Sequence, residues 1–212
     1  MRTEELIRTL AADAPAAPPR SLAPQLVLAA VIAGVAWVAV MIAATPYGMP
    51  AQSAPHGWFW MKNAYSVVLA LAGLAAVTRL ARPGGRMGWA VWLAAAAIVW
   101  LLVMAIRETA LAAPGQVAPL WLGQTWKVCA TRIMLFSIPT FVATFWLLRR
   151  MAPTRPALTG AAAGFFAGAV GAATYGLYCQ ESAAAFVVAW YTLGIAICAA
   201  IGAGAGRWLL RW

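Results

Sequence analysis

The residues of this chain best suited to chemistry are thiols. Cys129 stands in TWKVCATRIM, Cys179 in LYCQES and Cys198 in IAICAA, and the single histidine is His56. A thiolate is a nucleophile and a soft-metal ligand, and two thiols brought together can form a disulfide or share a thiophilic cation. On a helix, Trp126 and Arg132 lie three residues from Cys129 and share its face, whereas Lys127, two residues away, points elsewhere. A guanidinium beside a thiol favours the thiolate, which makes Arg132 the candidate for tuning Cys129. The plain alternative is that Lys127 and Arg132, with Trp121 and Trp126, anchor a helix end among lipid headgroups.

The elements that must position these residues follow from composition. The chain is 64% hydrophobic and 9% charged, with a mean hydropathy of +0.81. So few polar residues cannot solvate a globule of this length, and the class is an integral membrane protein. A membrane-crossing helix needs roughly 20 mostly apolar residues. Runs of that kind lie at 24–44, 58–80, 88–106, 120–148, 157–178 and 183–206. They are continuous and rich in Ala and Leu, unlike the short alternating segments of a barrel. The expected fold is all-α, a bundle of six transmembrane helices over 24–212 behind a cytoplasmic segment at 1–23. The first twenty residues are polar and Pro-rich, with no leader-like apolar core, so the first run is expected to remain as an anchor.

A net charge of +10 would suggest nucleic acid in a soluble protein, but the arginines alternate with the runs. Arg2, Arg8 and Arg20 precede the first; Arg79, Arg82 and Arg86 follow the second; Arg149, Arg150 and Arg155 follow the fourth; Arg207 and Arg211 follow the last. The intervening loops hold almost none. By the positive-inside rule both termini are cytoplasmic. The charge thus marks topology, with attraction to anionic lipid secondary and direct nucleic-acid binding unsupported.

Helical rise then sets depth. Cys129 lies about 20 residues, or roughly 30 Å, from Arg149, and Cys179 about 24 residues, or roughly 36 Å, from Arg155. Both are expected at the outer face. Cys198, only about 14 Å from Arg207, belongs near mid-span as a packing residue. Lys62 shares the outer layer, next to Asn63. With Arg107, Glu108, Lys127, Arg132 and Glu181 it is expected to form a mixed, mainly positive rim around two thiols, in which Arg132, Lys62, Lys127 and Glu181 would tune the pair. Each is also close enough to the interface to be a simple anchor.

Packing signals are clearer. Gly160, Gly164 and Gly168 form a stripe with spacing of four, echoed by Gly202 and Gly206, so the fifth and sixth runs should make close contacts, with each other, with the fourth or with another copy. Pro139 is expected to kink the fourth run. Ahead of the bundle, TEELIRTLAAD reads as a short helix with Leu6, Ile7 and Leu10 along one face, either lying on the inner leaflet or docking in a groove of a cytosolic partner.

Taken in order, TEELIRTLAAD, FWMKNAYS, WKVC, APTRPALTGAAAGFFAG and YCQESAAAFVVAWYTLGI resemble the six-span bacterial inner-membrane anti-sigma factors of the negative regulator of sigma F family. The likeness runs over nearly the whole chain. It implies sequestration of an extracytoplasmic-function sigma factor on the cytoplasmic side and its release under oxidative or heavy-metal stress, without catalytic activity or a resident cofactor. The family's paired cysteines map to Cys129 and Cys179, which would sense the stress and hold a heavy-metal ion transiently. In the family the second cysteine is often preceded by His and followed by Pro-Glu. Here it stands as Tyr178-Cys179-Gln180-Glu181, which weighs against a His-assisted metal site unless His56 substitutes. Two other classes fit less well. A periplasm-facing thiol oxidoreductase commonly carries a CxxC pair, and a small transporter carries polar groups at mid-membrane.

The arginine pattern makes a direct prediction. Reporter fusions or cysteine labelling should place residues 45–57, 107–120 and 180–182 outside and 79–87 and 149–156 inside; a periplasmic reading at Arg82 would overturn the assignment.

Overall fold

The computed structural model describes residues 3–12, 21–44, 57–151 and 153–211. It is helical, without strands among the described residues. The short α1 (Thr3–Ala12) is followed by α2 (Leu22–Ala44), α3 (Gly57–Leu80), α4 (Trp89–Ala110), α5 (Val117–Leu122), α6 (Trp126–Leu148) and α7 (Pro156–Gly176). The last element starts as α8 (Ala184–Phe186), widens into a π turn at Val187–Tyr191 and continues as α9 (Thr192–Leu209). Six helical stretches among the described residues are long and apolar enough to cross a membrane, and they coincide with the six expected runs.

The outside of the bundle is apolar in a way water would not tolerate. Leu28, Val31, Ile32 and Val35 of α2, and Trp92, Val99 and Trp100 of α4, are exposed. A soluble monomer seldom shows contiguous apolar patches beyond a few hundred Å².

The inside is organised by α7. It packs most extensively on α9, then on α3 and α6, and it can do so because its contact faces carry almost no side chain. A methyl group at Gly160 would overlap the carbonyl of Gly202, and one at Gly164 would overlap the carbonyl of Cys198. The glycine stripe therefore joins the fifth and sixth spans to each other, one of the pairings its spacing allows. On another face, a methyl at Gly171 would lie 2.7 Å from the Ile133 carbonyl of α6. Phe166 fills the notch left by Gly73 of α3, where an added methyl would sit 2.8 Å from its Cα.

Two local features depart from what periodicity suggests. α6 is not interrupted at Pro139, which sits inside a single helix although its ring removes one i→i−4 hydrogen bond. The π turn at Val187–Tyr191 inserts extra backbone into what reads as a plain apolar run. Cys198 is buried, its sulfur 3.4 Å from the Ser137 hydroxyl, in keeping with a packing role. In α1, Ile7 is exposed, whereas the Leu6 and Leu10 side chains lie outside the described residues.

The glycine contact has a measurable consequence. Gly164→Val should destabilise the bundle by about 1–3 kcal/mol or more, because backbone cannot yield as a flexible side chain can. Gly204→Ala should be neutral, having nothing within 4 Å of the added carbon. Thermal or SDS unfolding in mild detergent reads both; a normal midpoint for Gly164→Val would show that α7 and α9 are not so closely apposed.

Candidate functional site

The two thiols lie at the same end of the bundle. Cys129 occupies the first turn of α6, and Cys179 lies in the connection after α7, held by its N–H donating to the Tyr175 carbonyl at 3.0 Å. Both are free thiols, and both belong to one buried cluster with Tyr175, Phe136, Phe186 and Tyr191. Their burial corrects one expectation: Cys129 is 0% and Cys179 5% exposed, so the pair sits under the end of the bundle and not in an open rim.

Lys62 is likewise placed differently from an anchor. Its side chain is 1% exposed and turns inward from the second turn of α3. The ammonium donates to the Cys179 carbonyl and, at 3.0 Å, to the Glu181 carbonyl, and it stands 5.4 Å from the Phe59 ring centroid. Burying such a group costs several kcal/mol unless its hydrogens find acceptors, and two backbone carbonyls of the same segment supply them. Arg132 and Lys127 are both exposed. Lys127 lies 5.6 Å from the Trp126 ring, consistent with an anchor, and among the cations acting on Cys129 the field of Lys62 exceeds that of Arg132. The i, i+3 argument sees only neighbours on one helix, and the stronger neighbour comes from another.

Glu181 has a defined task. Its Oε1 accepts the Gln124 N–H at 2.7 Å, the Thr125 N–H at 3.2 Å and the Thr125 hydroxyl at 3.4 Å. These amides head α6, whose N-cap Thr125 makes no side-chain cap bond of its own. A carboxylate there satisfies unpaired donors and complements the helix dipole. The chain comes close enough only because Gly123 has a positive φ of 57° and no side chain; an added carbon would lie 2.8 Å from Glu181 Oε2 and 2.6 Å from Phe186. Glu108 acts in the same way on the last span, its Oε2 accepting the Ala185 N–H at 3.2 Å.

Aromatic residues complete the enclosure. Trp190 Nε1 donates to the Trp121 carbonyl at 2.9 Å, Trp121 Nε1 donates to the Thr109 hydroxyl at 3.1 Å, and Trp126 and Trp190 have ring centroids 5.5 Å apart. Tyr191, on the π turn, is fully buried in the same cluster as the two thiols. Sequence reasoning gives Tyr175 and Tyr191 no role. The available signal was position: Tyr175 falls near the outer end of the fifth run and Tyr191 about two turns inside the sixth.

Two adjacent thiols can be oxidised together or can grip a soft cation. Among the described residues no group of three or more His, Cys, Asp or Glu is assembled for a metal ion, and His56 lies outside the described residues. The arrangement therefore fits two-thiol chemistry and provides no further ligand set around it.

Comparison with known proteins follows the same line. The profile of the family described as negative regulator of sigma F matches residues 10–212. Over the full length of both chains, this protein is 42% identical to the anti-sigma-F factor NrsF of Caulobacter vibrioides (strain NA1000 / CB15N). It is 38% identical, again over both full lengths, to the probable anti-sigma-F factor NrsF of Azospira oryzae (strain ATCC BAA-33 / DSM 13638 / PS). No solved structure matches it. With similarity that spans the bundle from end to end, the chain belongs to the negative regulator of sigma F family.

Proposed function

We propose that this chain is a polytopic anti-sigma factor of the bacterial inner membrane. It has both termini in the cytoplasm, where it holds an extracytoplasmic-function sigma factor until Cys129 and Cys179 are oxidised or bind a heavy-metal ion. The observation that carries the reading is the convergence of those two cysteines, one from the start of α6 and one from the connection after α7, in one buried cluster of a chain whose relatives are named anti-sigma-F factors. The alternation of arginines supports the orientation. It sets the thiols toward an oxidising compartment and leaves α1 and the arginine-bearing loops on the side of the sigma factor.

In the oxidative branch, the two thiols yield one disulfide, two protons and two electrons, the last taken by the oxidant. In the metal branch, two sulfurs lose their protons and share the cation. Either event changes the local packing of α6 against the connection after α7, and release follows if the partner-binding state is the one that packing favours. On the opposite side, Ile7 is exposed on α1 and suits a helix-in-groove contact together with Leu6 and Leu10.

Affinity purification from mild detergent should recover a sigma factor, and Cys129→Ser and Cys179→Ser should each abolish its release by oxidant or metal while Cys198→Ser does not. Normal induction in the Cys129→Ser, Cys179→Ser double variant would return the pair to a packing role.

Replacing Leu6 and Ile7 together by Asp should weaken sigma-factor retention about tenfold or more, since charge on that face has to be desolvated in the groove. Unchanged retention would move the binding surface to the cytoplasmic loops.

A further inference from the structure

The connection between α7 and α8, residues 177–183, carries Cys179 and has little regular structure of its own. Two things fix it in place. From one side the Lys62 amine binds its backbone at the carbonyls of Cys179 and Glu181. From the other, the Glu181 carboxylate binds the amides of Gln124 and Thr125 and the Thr125 hydroxyl at the head of α6, a short step before Cys129 in the chain. One short segment is thus clamped to α3 and α6 at once, and Cys179 is one of the residues whose backbone the clamps hold.

We propose that Lys62 is the positioning residue of the thiol pair: with Glu181 it forms a latch that holds Cys179 against Cys129 and ties the state of the thiols to the capped start of α6. The proposal rests on the thiol reading of the proposed function and adds the means by which the pair is held and read. Its logic is hydrogen-bond accounting. Buried carbonyls need donors, and Lys62 supplies both of those on residues 179 and 181. Without the amine, the segment regains its pairing only by turning its carbonyls toward water, which carries Cys179 away from Cys129. Conversely, a disulfide requires a sulfur separation of about 2.05 Å and a restricted Cα spacing. Drawing Cys179 into that geometry moves the backbone that carries Glu181 and loosens the cap on α6.

The test uses the full chain in mild detergent with diamide, an azo oxidant that takes up the two electrons and two protons the dithiol releases. Disulfide formation is followed by mass spectrometry of non-reduced peptides. Accessibility of each cysteine is followed with a small maleimide. In Lys62→Met the rate of Cys129–Cys179 disulfide formation should fall about ten- to a hundredfold, the penalty of a misplaced reacting pair. Alkylation of Cys179 should rise, and alkylation of Cys198 should stay unchanged. The opposite signs set positioning apart from general loosening, which would raise alkylation at Cys198 as well and would overturn the proposal. Lys127→Met, altering an exposed lysine, should leave every rate as it was.

Should Lys62→Met fail to fold, the unmutated chain still decides. Oxidation should speed amide exchange at Gln124 and Thr125 by about tenfold, as expected for loss of a capping partner, and unchanged protection there overturns the latch. A chain that forms no disulfide with diamide defeats the oxidative reading of the proposed function together with this proposal. Normal disulfide formation in a folded Lys62→Met variant defeats this proposal alone.

Discussion

The close approach of α7 to its neighbours is the constraint from which the rest of the structure follows. In lipid, apolar side chains gain nothing by leaving hydrocarbon for protein, so helices adhere through dispersion at short range and through the few polar bonds they share. The glycines of α7 bring backbone onto backbone at α9 and α6. Ile133, whose carbonyl meets Gly171, lies one turn from Cys129 on α6, and the end of α7 leads straight into the segment bearing Cys179. The register that glycine packing imposes on α6 and α7 is therefore the register of the two cysteines.

Several described polar groups at that end of the bundle are paired across helices. A lysine amine, a glutamate carboxylate and two indole N–H groups each pair with backbone or with a side chain across helices. Breaking one partner of such a pair is costly because the other is left desolvated. The Trp37 indole N–H, whose ring stacks on Phe136, makes no hydrogen bond among the described residues, and Tyr191, on the π turn, lies in the same cluster as the thiols. π turns are irregularities that tend to occur at functional positions, and here one faces the site.

Much of this was legible in the sequence because it depends on local rules. Length and composition define the six spans, and glycines four residues apart mark α7 and α9 for close packing, although their spacing left the partner open. Rise per residue puts Cys129, Cys179, Lys62 and Glu181 in one layer. What counting could not supply was direction. Lys62 looks like a headgroup anchor by depth, yet it points inward because acceptors wait on a segment 117 residues away in sequence. Arg132 has the right spacing from Cys129 and still faces outward. Glu181 reads as one more rim charge, and its capping of α6 depends on a positive φ at Gly123 that no apolar periodicity encodes.

Burial of the thiols changes how selectivity can arise. A cysteine in an open basic rim would be selected by its own thiolate character, reacting with whatever polar oxidant arrived. Cys129 and Cys179 are enclosed by Phe136, Phe186 and the tyrosines, so a polar reagent must wait for the 177–183 segment to open. That opening is a local equilibrium with its own free energy, set by the hydrogen bonds of Lys62 and Glu181. Small apolar oxidants and thiophilic cations have an additional route through the hydrocarbon-like wall. If the proposed latch holds the pair in register, the same bonds set how often it can be reached, and strengthening them would sharpen the choice of reagent while slowing reaction at the thiols.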